Sequence, residues 1–348
     1  MNPQSDIQEI DKLTQQVNAA QLPQELKDKA LQQIERILLT LKFGGSLTQL
    51  DIAQKYIDWI THLPWSTSTQ ENLNVNEVKK VLDAHHFGLE KIKTRVLEYI
   101  SILILQKQSP APQAYHAPIL FFVGLAGTGK TTFASSLAEA LGRSFVRIPF
   151  GGLSSALDLR GQSKTMPNAE PGLVMKILRQ AQSNNPVILL DELDRISPDA
   201  QASIMGVLLE LLDPNQNKTF TDHFIDFPFD LSRALFIATA NNTNSISTAV
   251  LDRLEVVQMP SYTDMEKIAI AKQYVLPKTL NNAGMNPNEI VIDDLLWQKI
   301  TRPLGFDSGI RTLERTIETI VRKVAFKMAQ GQKGPYRLNE ANIKEFLG

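Results

Sequence analysis

The sequence contains no cysteine, which excludes disulfide bonds and thiolate metal sites. A strong charge of one sign is also missing, because the formal net charge of the 348 residues is −1. No overall field therefore favours nucleic acid or an anionic membrane surface, although a local basic patch is compatible with this balance. The five histidines show no ligand spacing beyond one adjacent pair, so we expect them to be structural rather than metal-binding.

Long apolar runs are missing as well. The longest, at residues 119–123, is too short to span a bilayer. Residues 1–6 lack the positive region and apolar core of a signal peptide. The sequence therefore predicts a soluble, cytoplasmic protein with no membrane partner, long enough for two or three domains that each have a core.

What is present is organised around a full match to the phosphate-loop pattern G-x-x-x-x-G-K-[ST]. A predicted strand at 119–123 precedes it and a predicted helix at 132–141 follows it. Glycines let several backbone N–H groups point at one anion, and the helix N-terminus adds partial positive charge. We expect Lys130 to neutralise the β- and γ-phosphates of ATP, and the Thr131 hydroxyl to hold Mg²⁺. The expected nucleotide-binding residues here are Gly124, Leu125, Ala126, Gly127, Thr128, Gly129, Lys130, Thr131 and Thr132.

A second apolar run, at 187–190, ends in two acids, Asp191 and Glu192. We expect Asp191 to bind nucleotide-associated Mg²⁺ through water, and Glu192 to polarise the attacking water as a general base. Alone this pattern is weak, because a strand often ends in an acid. After a phosphate loop it is a strong indication of a nucleotide hydrolase.

Three further residues each have two interpretations. Asn241 follows the apolar run 235–239, and it either hydrogen-bonds the attacking water or the γ-phosphate, or is a turn residue. Arg253 either reaches the γ-phosphate of a neighbouring subunit or forms a surface ion pair with Asp252. Arg311 opens a predicted long helix, where it either touches the phosphates or belongs to a solvated face.

The fold class predicted is α/β. Five short apolar runs alternate with helical stretches between residues 118 and 260, which indicates a parallel sheet between helices. The runs are 119–123, 145–148, 187–190, 235–239 and 255–259. Such sheets bind ligands at the C-terminal ends of their strands. The predicted domains are a helical N-terminal segment (1–66), an α/β ATPase domain (67–260) that begins with a polar linker at 66–76, and a small helical domain (261–348).

Together these motifs resemble those of AAA+ ATPases and, more narrowly, the ATPase module of the Lon protease family. The resemblance covers essentially the whole chain. The stretches that carry it are Leu63-Pro64-Trp65, His86-Phe87-Gly88-Leu89-Glu90-Lys91, Phe145-Val146-Arg147-Ile148, Leu212-Asp213-Pro214-Asn215-Gln216-Asn217, Phe220-Thr221-Asp222-His223, Phe236-Ile237-Ala238-Thr239-Ala240-Asn241, Leu251-Asp252-Arg253-Leu254-Glu255 and Gly309-Ile310-Arg311-Thr312-Leu313-Glu314-Arg315.

The resemblance implies a P-loop AAA+ module with a preceding helical segment and a small helical lid domain. It implies that Asn241 is sensor 1, Arg253 an arginine finger and Arg311 sensor 2. It also implies a homohexameric ring, because the finger must come from a neighbour, and protein substrates whose remodelling is driven by ATP. The residues that it places around the adenine of ATP or ADP are His86, Phe87, Gly88 and Leu89.

The sequence departs from the family pattern in two respects. Lon-like proteins continue into a peptidase domain with a Ser-Lys dyad, and this sequence contains neither G-x-S-x-G nor H-E-x-x-H. We therefore expect either a fragment or a protein whose peptidase is a separate chain or absent.

The second departure concerns the expected pore loops. An aromatic-aliphatic pair followed by Gly is replaced by Met166-Pro167-Asn168, and a charged turn with Gly and Pro is replaced by residues 201–204. An aromatic ring offers a large stiff contact, whereas Met is flexible. Our hypothesis is that the chain hydrolyses ATP but threads substrate weakly.

Two alternatives belong to other functional classes. An AAA+ protein acting on DNA, such as a helicase or clamp loader, would need a basic stripe with interleaved aromatics, which the sequence lacks. A nucleotide-dependent assembly scaffold would not need Glu192, Asn241 and Arg253 together.

Overall fold

The computed structural model describes residues 3–42, 48–108, 118–302 and 309–347. It begins with three helices, α1 (Pro3–Ala19), α2 (Gln24–Lys42) and α3 (Thr48–His62). Apolar residues at helical spacing, such as Ile34 on α2 and Ile60 on α3, are buried between them. The helical pattern predicted for this segment is confirmed over the described part.

The N-terminal helices share their apolar core with the following domain. Their buried side chains form one continuous cluster with those on one face of the central sheet. The Tyr56 hydroxyl donates to the carbonyl of Ile225 at 3.2 Å, and the ring centroids of Trp65 and Phe229 lie 5.0 Å apart. The domain boundary predicted near residue 66 therefore lies within a continuous core.

The central sheet has five parallel strands. They are β1 (Ile119–Val123), β2 (Phe145–Pro149), β3 (Val187–Asp191), β6 (Leu235–Ala240) and β7 (Leu254–Gln258), in the order β2-β3-β6-β1-β7. A separate antiparallel pair is formed by β4 (Phe220–Thr221) and β5 (Pro228–Phe229). Each of the five predicted runs is a strand, and the three central ones, β1, β3 and β6, are the most buried because helices cover them on both faces.

Helices cover both faces of the sheet. They are α4 (Val75–His85), α5 (Glu90–Gln108), α6 (Lys130–Ala140), α7 (Ala156–Arg160), α8 (Leu173–Ala181), α9 (Pro198–Leu212) and α10 (Thr248–Leu251). Phe122 faces a cluster that contains α4, α5 and α6, whereas Phe121 faces the cluster that contains α8 and α9. This alternation follows from the two-residue period of a strand.

The polar linker at 66–76 is docked onto the domain. The backbone N–H of Asn184 donates to the carbonyl of Thr67 at 2.8 Å, and that of Thr69 donates to Oδ1 of Asn185 at 2.8 Å. Asn184 and Asn185 are themselves buried. The polar composition of this stretch thus reflects hydrogen bonding to the loop before β3.

The C-terminal lid domain has a core of its own. Its elements are α11 (Asp264–Ile270), a π-helical turn (Ala271–Val275), α12 (Leu276–Asn282), β8 (Ile290–Ile292), α13 (Trp297–Thr301), α14 (Arg311–Ala329), β9 (Tyr336–Leu338) and α15 (Ile343–Leu347). Strands β8 and β9 pair in parallel, an addition to the predicted helices. None of the described helices is long and apolar enough to cross a membrane.

Candidate nucleotide site

The phosphate loop lies between the end of β1 and the start of α6. Gly127 and Gly129 have φ values of 83° and 92°, a region that favours glycine. A Cβ on Gly124 would lie 2.4 Å from the carbonyl oxygen of Met259, so this position also admits no side chain. The N-terminus of α6 at Lys130 consequently opens onto the loop, as an anion site requires.

Lys130 lies at the centre of this arrangement. Its Nζ donates to the carbonyls of Gly124 at 2.6 Å and Leu125 at 3.0 Å, and to Oδ1 of Asn241 at 3.2 Å. Burial lowers the pKa of Lys130, and the carboxylates of Asp194 and then Asp191 act in the opposite direction. A positive charge is thus held in a partly buried, acid-lined cleft.

The two acids at the end of β3 are both engaged. Asp191 Oδ1 accepts from the Thr239 hydroxyl, and its Oδ2 lies 2.7 Å from Nε of Arg147. Glu192 adopts a left-handed conformation with a φ of 60°, and its carboxylate lies 3.4 Å from Nη1 of Arg195. Positive φ at a non-glycine residue is concentrated at functional sites.

Asn241 follows β6, which lies between β3 and β1 in the sheet. The polar residues that follow these parallel strands therefore meet at one edge. Asn241 contacts Lys130 through Oδ1, and its Nδ2 donates to Oδ2 of Asp194 at 3.2 Å. This side chain points into the cleft rather than only closing a turn.

The lid closes the other side of the cleft. The backbone N–H of Ile310 donates to the carbonyl of Gly127 at 3.0 Å, and Arg311, the first residue of α14, lines the cleft. Glu314, one turn further on, lines it too, and burial raises its pKa. Tyr262 adds a second link, because its hydroxyl donates to the carbonyl of Thr128 at 3.2 Å.

Arg253 lies away from this cleft. Its carbonyl accepts from the N–H of Ile119 at 3.0 Å, which places it where β1 and β7 begin. Since β1 has five residues, that edge is about 13 Å from the phosphate-loop edge. Its guanidinium contacts the Ala249 carbonyl at 2.8 Å and Asp213 Oδ2 at 3.3 Å. The ion pair observed is thus with Asp213, and not the Asp252 pair considered from sequence.

The stretch 86–89 bridges the two domains. His86 is buried, its Nε2 lies 3.0 Å from the Ser136 hydroxyl, and burial lowers its pKa to about 4. Phe87 packs against the lid core, whereas Leu89 packs against the core under the sheet. Gly88 between them has a φ of 62°.

The two expected pore segments lie in different kinds of structure, the first in a loop and the second inside a helix. The Met166 side chain is 56% exposed in the loop between α7 and α8. The Nζ of Lys55 on α3 donates to the Ala169 carbonyl of this loop at 2.7 Å. Residues 201–204 lie inside α9, and Gln201 donates to the carbonyl of Ser245.

The residues present suit a nucleotide with Mg²⁺. A cradle of glycines, a buried lysine and the oxygens of Thr131 and Asp191 match the preferences of phosphate and of Mg²⁺. The described residues contain no group of three or more His, Cys, Asp or Glu that could hold a metal by itself. A metal here would therefore need ligands from the nucleotide and water.

Sequence reasoning missed four residues at this site, namely Arg147, Asp194, Tyr262 and Glu314. Asp194 carried one available signal, since it lies three residues after Asp191 in an acidic run. Nothing in the sequence alone would have indicated that Arg147 pairs with Asp191 or that Tyr262 reaches Thr128.

Comparisons with known proteins agree with this geometry. Residues 120–262 match the model of the ATPase family associated with various cellular activities, and residues 281–336 match that of the Lon protease AAA+ ATPase lid domain. A Lon protease of Lawsonia intracellularis is 40% identical over 98% of this chain and 40% of its own length. The Lon protease of Desulforamulus reducens is 41% identical over 95% of the chain and 40% of its own length. Lon protease 2 of Thermus thermophilus is 37% identical over 98% of this chain and 43% of its own length. The chain therefore spans about two fifths of the length of these relatives.

Proposed function

The chain belongs to the Lon protease family of AAA+ ATPases, and from this premise we propose that it hydrolyses ATP to remodel proteins. One observation supports the proposal most strongly. Lys130, the adjacent acids Asp191 and Glu192, and Asn241 come from three separate stretches of the sequence and line one cleft at the C-terminal edge of the sheet. Arg311 from the lid lines the same cleft.

In this proposal the phosphate-loop N–H groups and Lys130 bind the phosphates. Glu192 holds the proton of the attacking water as general base, and Asn241 positions that water. Thr131 and Asp191 would hold Mg²⁺, with Asp191 acting through water, while its two oxygens also contact the Thr239 hydroxyl and Arg147. Mg²⁺ when bound would neutralise charge on the phosphate oxygens.

The roles of the remaining residues follow from where they lie. Arg311 would sense the phosphates and draw the lid toward the loop. Residues 86–89, which touch both cores, would border the adenine. Arg253 lies at the far edge of the sheet from its own phosphate loop, so it would act on the site of a neighbouring subunit. That arrangement requires an oligomer, for which we propose the hexameric ring of the family.

Two substitutions test the hydrolytic site. We expect Glu192→Gln to lower ATP turnover about a hundredfold or more while leaving nucleotide affinity nearly unchanged, because it removes only the base. Lys130→Ala should weaken nucleotide binding about ten- to hundredfold. The assays are phosphate release and equilibrium binding of a fluorescent ADP analogue.

Glu98→Gln on the exposed face of α5 is the matched control and should behave as the parent. Unchanged turnover in Glu192→Gln would contradict the proposal and favour a nucleotide-dependent scaffold. Stimulation of turnover by DNA in a salt-sensitive manner would instead favour a DNA motor.

The chain's action on proteins is the second part of the proposal. Relatives of more than twice this length bear the name Lon protease, and we propose that the chain supplies the motor of such an ATP-dependent protease. The exposed Met166 would contact the substrate, but it offers a more flexible contact than an aromatic ring.

Met166→Tyr should therefore increase the unfolding rate of a model substrate severalfold at equal ATP turnover. The measurement is loss of substrate fluorescence per ATP hydrolysed, and Met265→Tyr on the exposed lid surface is the control. A parent that already unfolds the substrate fully, with no gain in Met166→Tyr, would contradict the hypothesis of weak threading.

A further inference from the structure

Asp194 lies in a single helical turn, Leu193–Arg195, just after the acids of β3. The left-handed backbone of Glu192 turns the chain at this point. The Ser245 hydroxyl donates to the backbone carbonyl of Asp194 at 3.2 Å and ties the turn to the loop after β6. The carboxylate of Asp194 is thereby brought under the side chain of Asn241.

Two neighbours act on the amide of Asn241 from opposite sides. Its Oδ1 lies 3.2 Å from Nζ of Lys130, and its Nδ2 lies 3.2 Å from Oδ2 of Asp194. An ammonium group can only donate and an ionised carboxylate can only accept. One of the two possible amide orientations satisfies both neighbours, and the flipped one satisfies neither.

The two oxygens of Asp194 differ in their contacts, because Oδ2 accepts from Nδ2 of Asn242 at 3.3 Å as well as from Asn241. Oδ1 of Asp194 is buried and has no hydrogen-bond partner among the described residues. A buried acceptor left without a partner destabilises a fold, and such groups call for a functional explanation. Its charge also acts on Lys130, ahead of that of Asp191.

We infer that Asp194 is a positioning residue for ATP hydrolysis, which holds the amide oxygen of Asn241 toward Lys130 and the reacting phosphate region. This inference rests on the proposed function. Asp194 touches neither nucleotide nor water in the reaction, and it acts through Asn241. Without the carboxylate, Lys130 alone would favour the observed orientation of the amide, so the flipped orientation, which directs a donor at Lys130, would be populated more often than in the parent.

The kinetic prediction separates positioning from binding. Asp194→Ala should lower kcat for ATP about tenfold and change the affinity for a fluorescent ADP analogue by less than about twofold. Asp194→Asn keeps an oxygen that can accept from Asn241, so its kcat should fall less, by about threefold. The control Asp199→Ala removes an exposed carboxylate from the first turn of α9 and should retain the parental kcat.

A double-mutant cycle supplies the sharper test. If Asp194 works through Asn241, the double variant Asp194→Ala/Asn241→Ala should turn over no more slowly than Asn241→Ala alone. If Asp194 only ties two loops together, the two losses should multiply and the thermal midpoint of Asp194→Ala should fall with kcat. Multiplying losses, or an unchanged kcat in Asp194→Ala, would overturn the inference.

Two further outcomes are distinguishable. If Asp194→Ala does not fold, the same cycle is run with Asp194→Asn, and multiplying losses there overturn the inference as well. A parent chain that turns over no ATP overturns the proposed function and this inference with it. A parent that turns over ATP beside an unaffected Asp194→Ala overturns the inference alone.

Discussion

Gly309 lies where the lid meets the phosphate loop, and there is no room for a side chain. A Cβ at this position would lie 2.6 Å from the carbonyl oxygen of Ala126 and 2.6 Å from backbone atoms of Gly127. Because backbone cannot move aside cheaply, Gly309→Ala should push the start of α14 off the loop and weaken ADP-analogue binding about tenfold.

The matched control is Gly206→Ala in α9, where nothing lies within 4 Å of the added Cβ. Alanine is favoured over glycine in a helix by up to about 1 kcal/mol, so this variant should melt about 2 °C higher with parental nucleotide affinity. Equal affinity in the two alanine variants would contradict a tight lid–loop contact.

The buried His86 should make the stability of the protein depend on pH. Burial lowers its pKa from 6.5 to about 4, so between these values the unfolded chain binds a proton that the folded chain does not. Stability contributed by neutral His86 is therefore complete above pH 6.5 and is lost as pH falls toward 4, by about 3 kcal/mol in all. Urea unfolding at pH 7 and pH 5 should show a smaller difference in His86→Asn than in the parent.

The exposed His62→Asn is the control for this titration. It should keep the parental difference between the two pH values, because this substitution leaves the buried His86 unchanged. A parental difference in His86→Asn would show that other groups dominate the acid sensitivity.

Residue roles were less predictable than residue positions. The spacing of the phosphate-loop pattern predicts Lys130, because loop and helix are local in the chain. The pairs Arg147–Asp191 and Asp194–Asn241 join residues 44 and 47 positions apart. They depend on strand order and on the left-handed turn at Glu192, neither of which a local pattern encodes.

At the scale of elements, burial decided what the sequence could predict. The three central strands, β1, β3 and β6, are buried almost throughout, so each is a largely apolar run. The edge strands β2 and β7 are less buried, and each contains a charged residue, Arg147 and Glu255 respectively. Strands β8 and β9 have three residues each and one exposed position at the centre, so they give no such signal. The linker at 66–76 looked free because its hydrogen-bond partners, Asn184 and Asn185, are remote in sequence.

Contacts from helix α3 restrain the loop that carries Met166. Lys55 donates to the Ala169 carbonyl at 2.7 Å, and Nζ of Lys164 lies 4.3 Å from the ring centroid of Tyr56. Lys55→Ala should therefore speed hydrogen exchange in residues 162–170 severalfold, since loosening the loop exposes its amides. Mass spectrometry of peptides from this loop and from α14 provides the measurement.

Lys80→Ala, which removes an exposed partner of Glu77 on α4, is the matched control. Exchange in the loop should be parental in this variant, and exchange in α14 should be parental in both. Loop exchange unchanged by Lys55→Ala would contradict a restraint of this loop by α3.

At the scale of the whole molecule, the position of Arg253 predicts complementation between subunits. Glu192→Gln and Arg253→Ala should each turn over little ATP alone. Mixed assemblies should regain roughly a quarter of parental turnover, because half the sites keep Glu192 and half of those face an intact arginine. Phosphate release after co-refolding or subunit exchange measures this turnover, and Glu192→Gln mixed with Lys130→Ala is the control.

Action of Arg253 within its own subunit would leave the mixture as inactive as its parts. A mixture of Glu192→Gln with Lys130→Ala lacks an intact site in every subunit, so it should stay inactive in either case. The comparison therefore distinguishes a shared site from a self-contained one.

The apolar cluster that joins α1–α3 to the sheet has a practical consequence for dissecting the chain. Tyr56 and Trp65 pack against Phe224 and Phe229, so removing the first 66 residues would expose an apolar surface on the nucleotide-binding domain. Exposed apolar surfaces of this kind promote aggregation. A chain truncated at the predicted border near residue 66 should aggregate during purification. A truncation after the lid domain would not expose this surface.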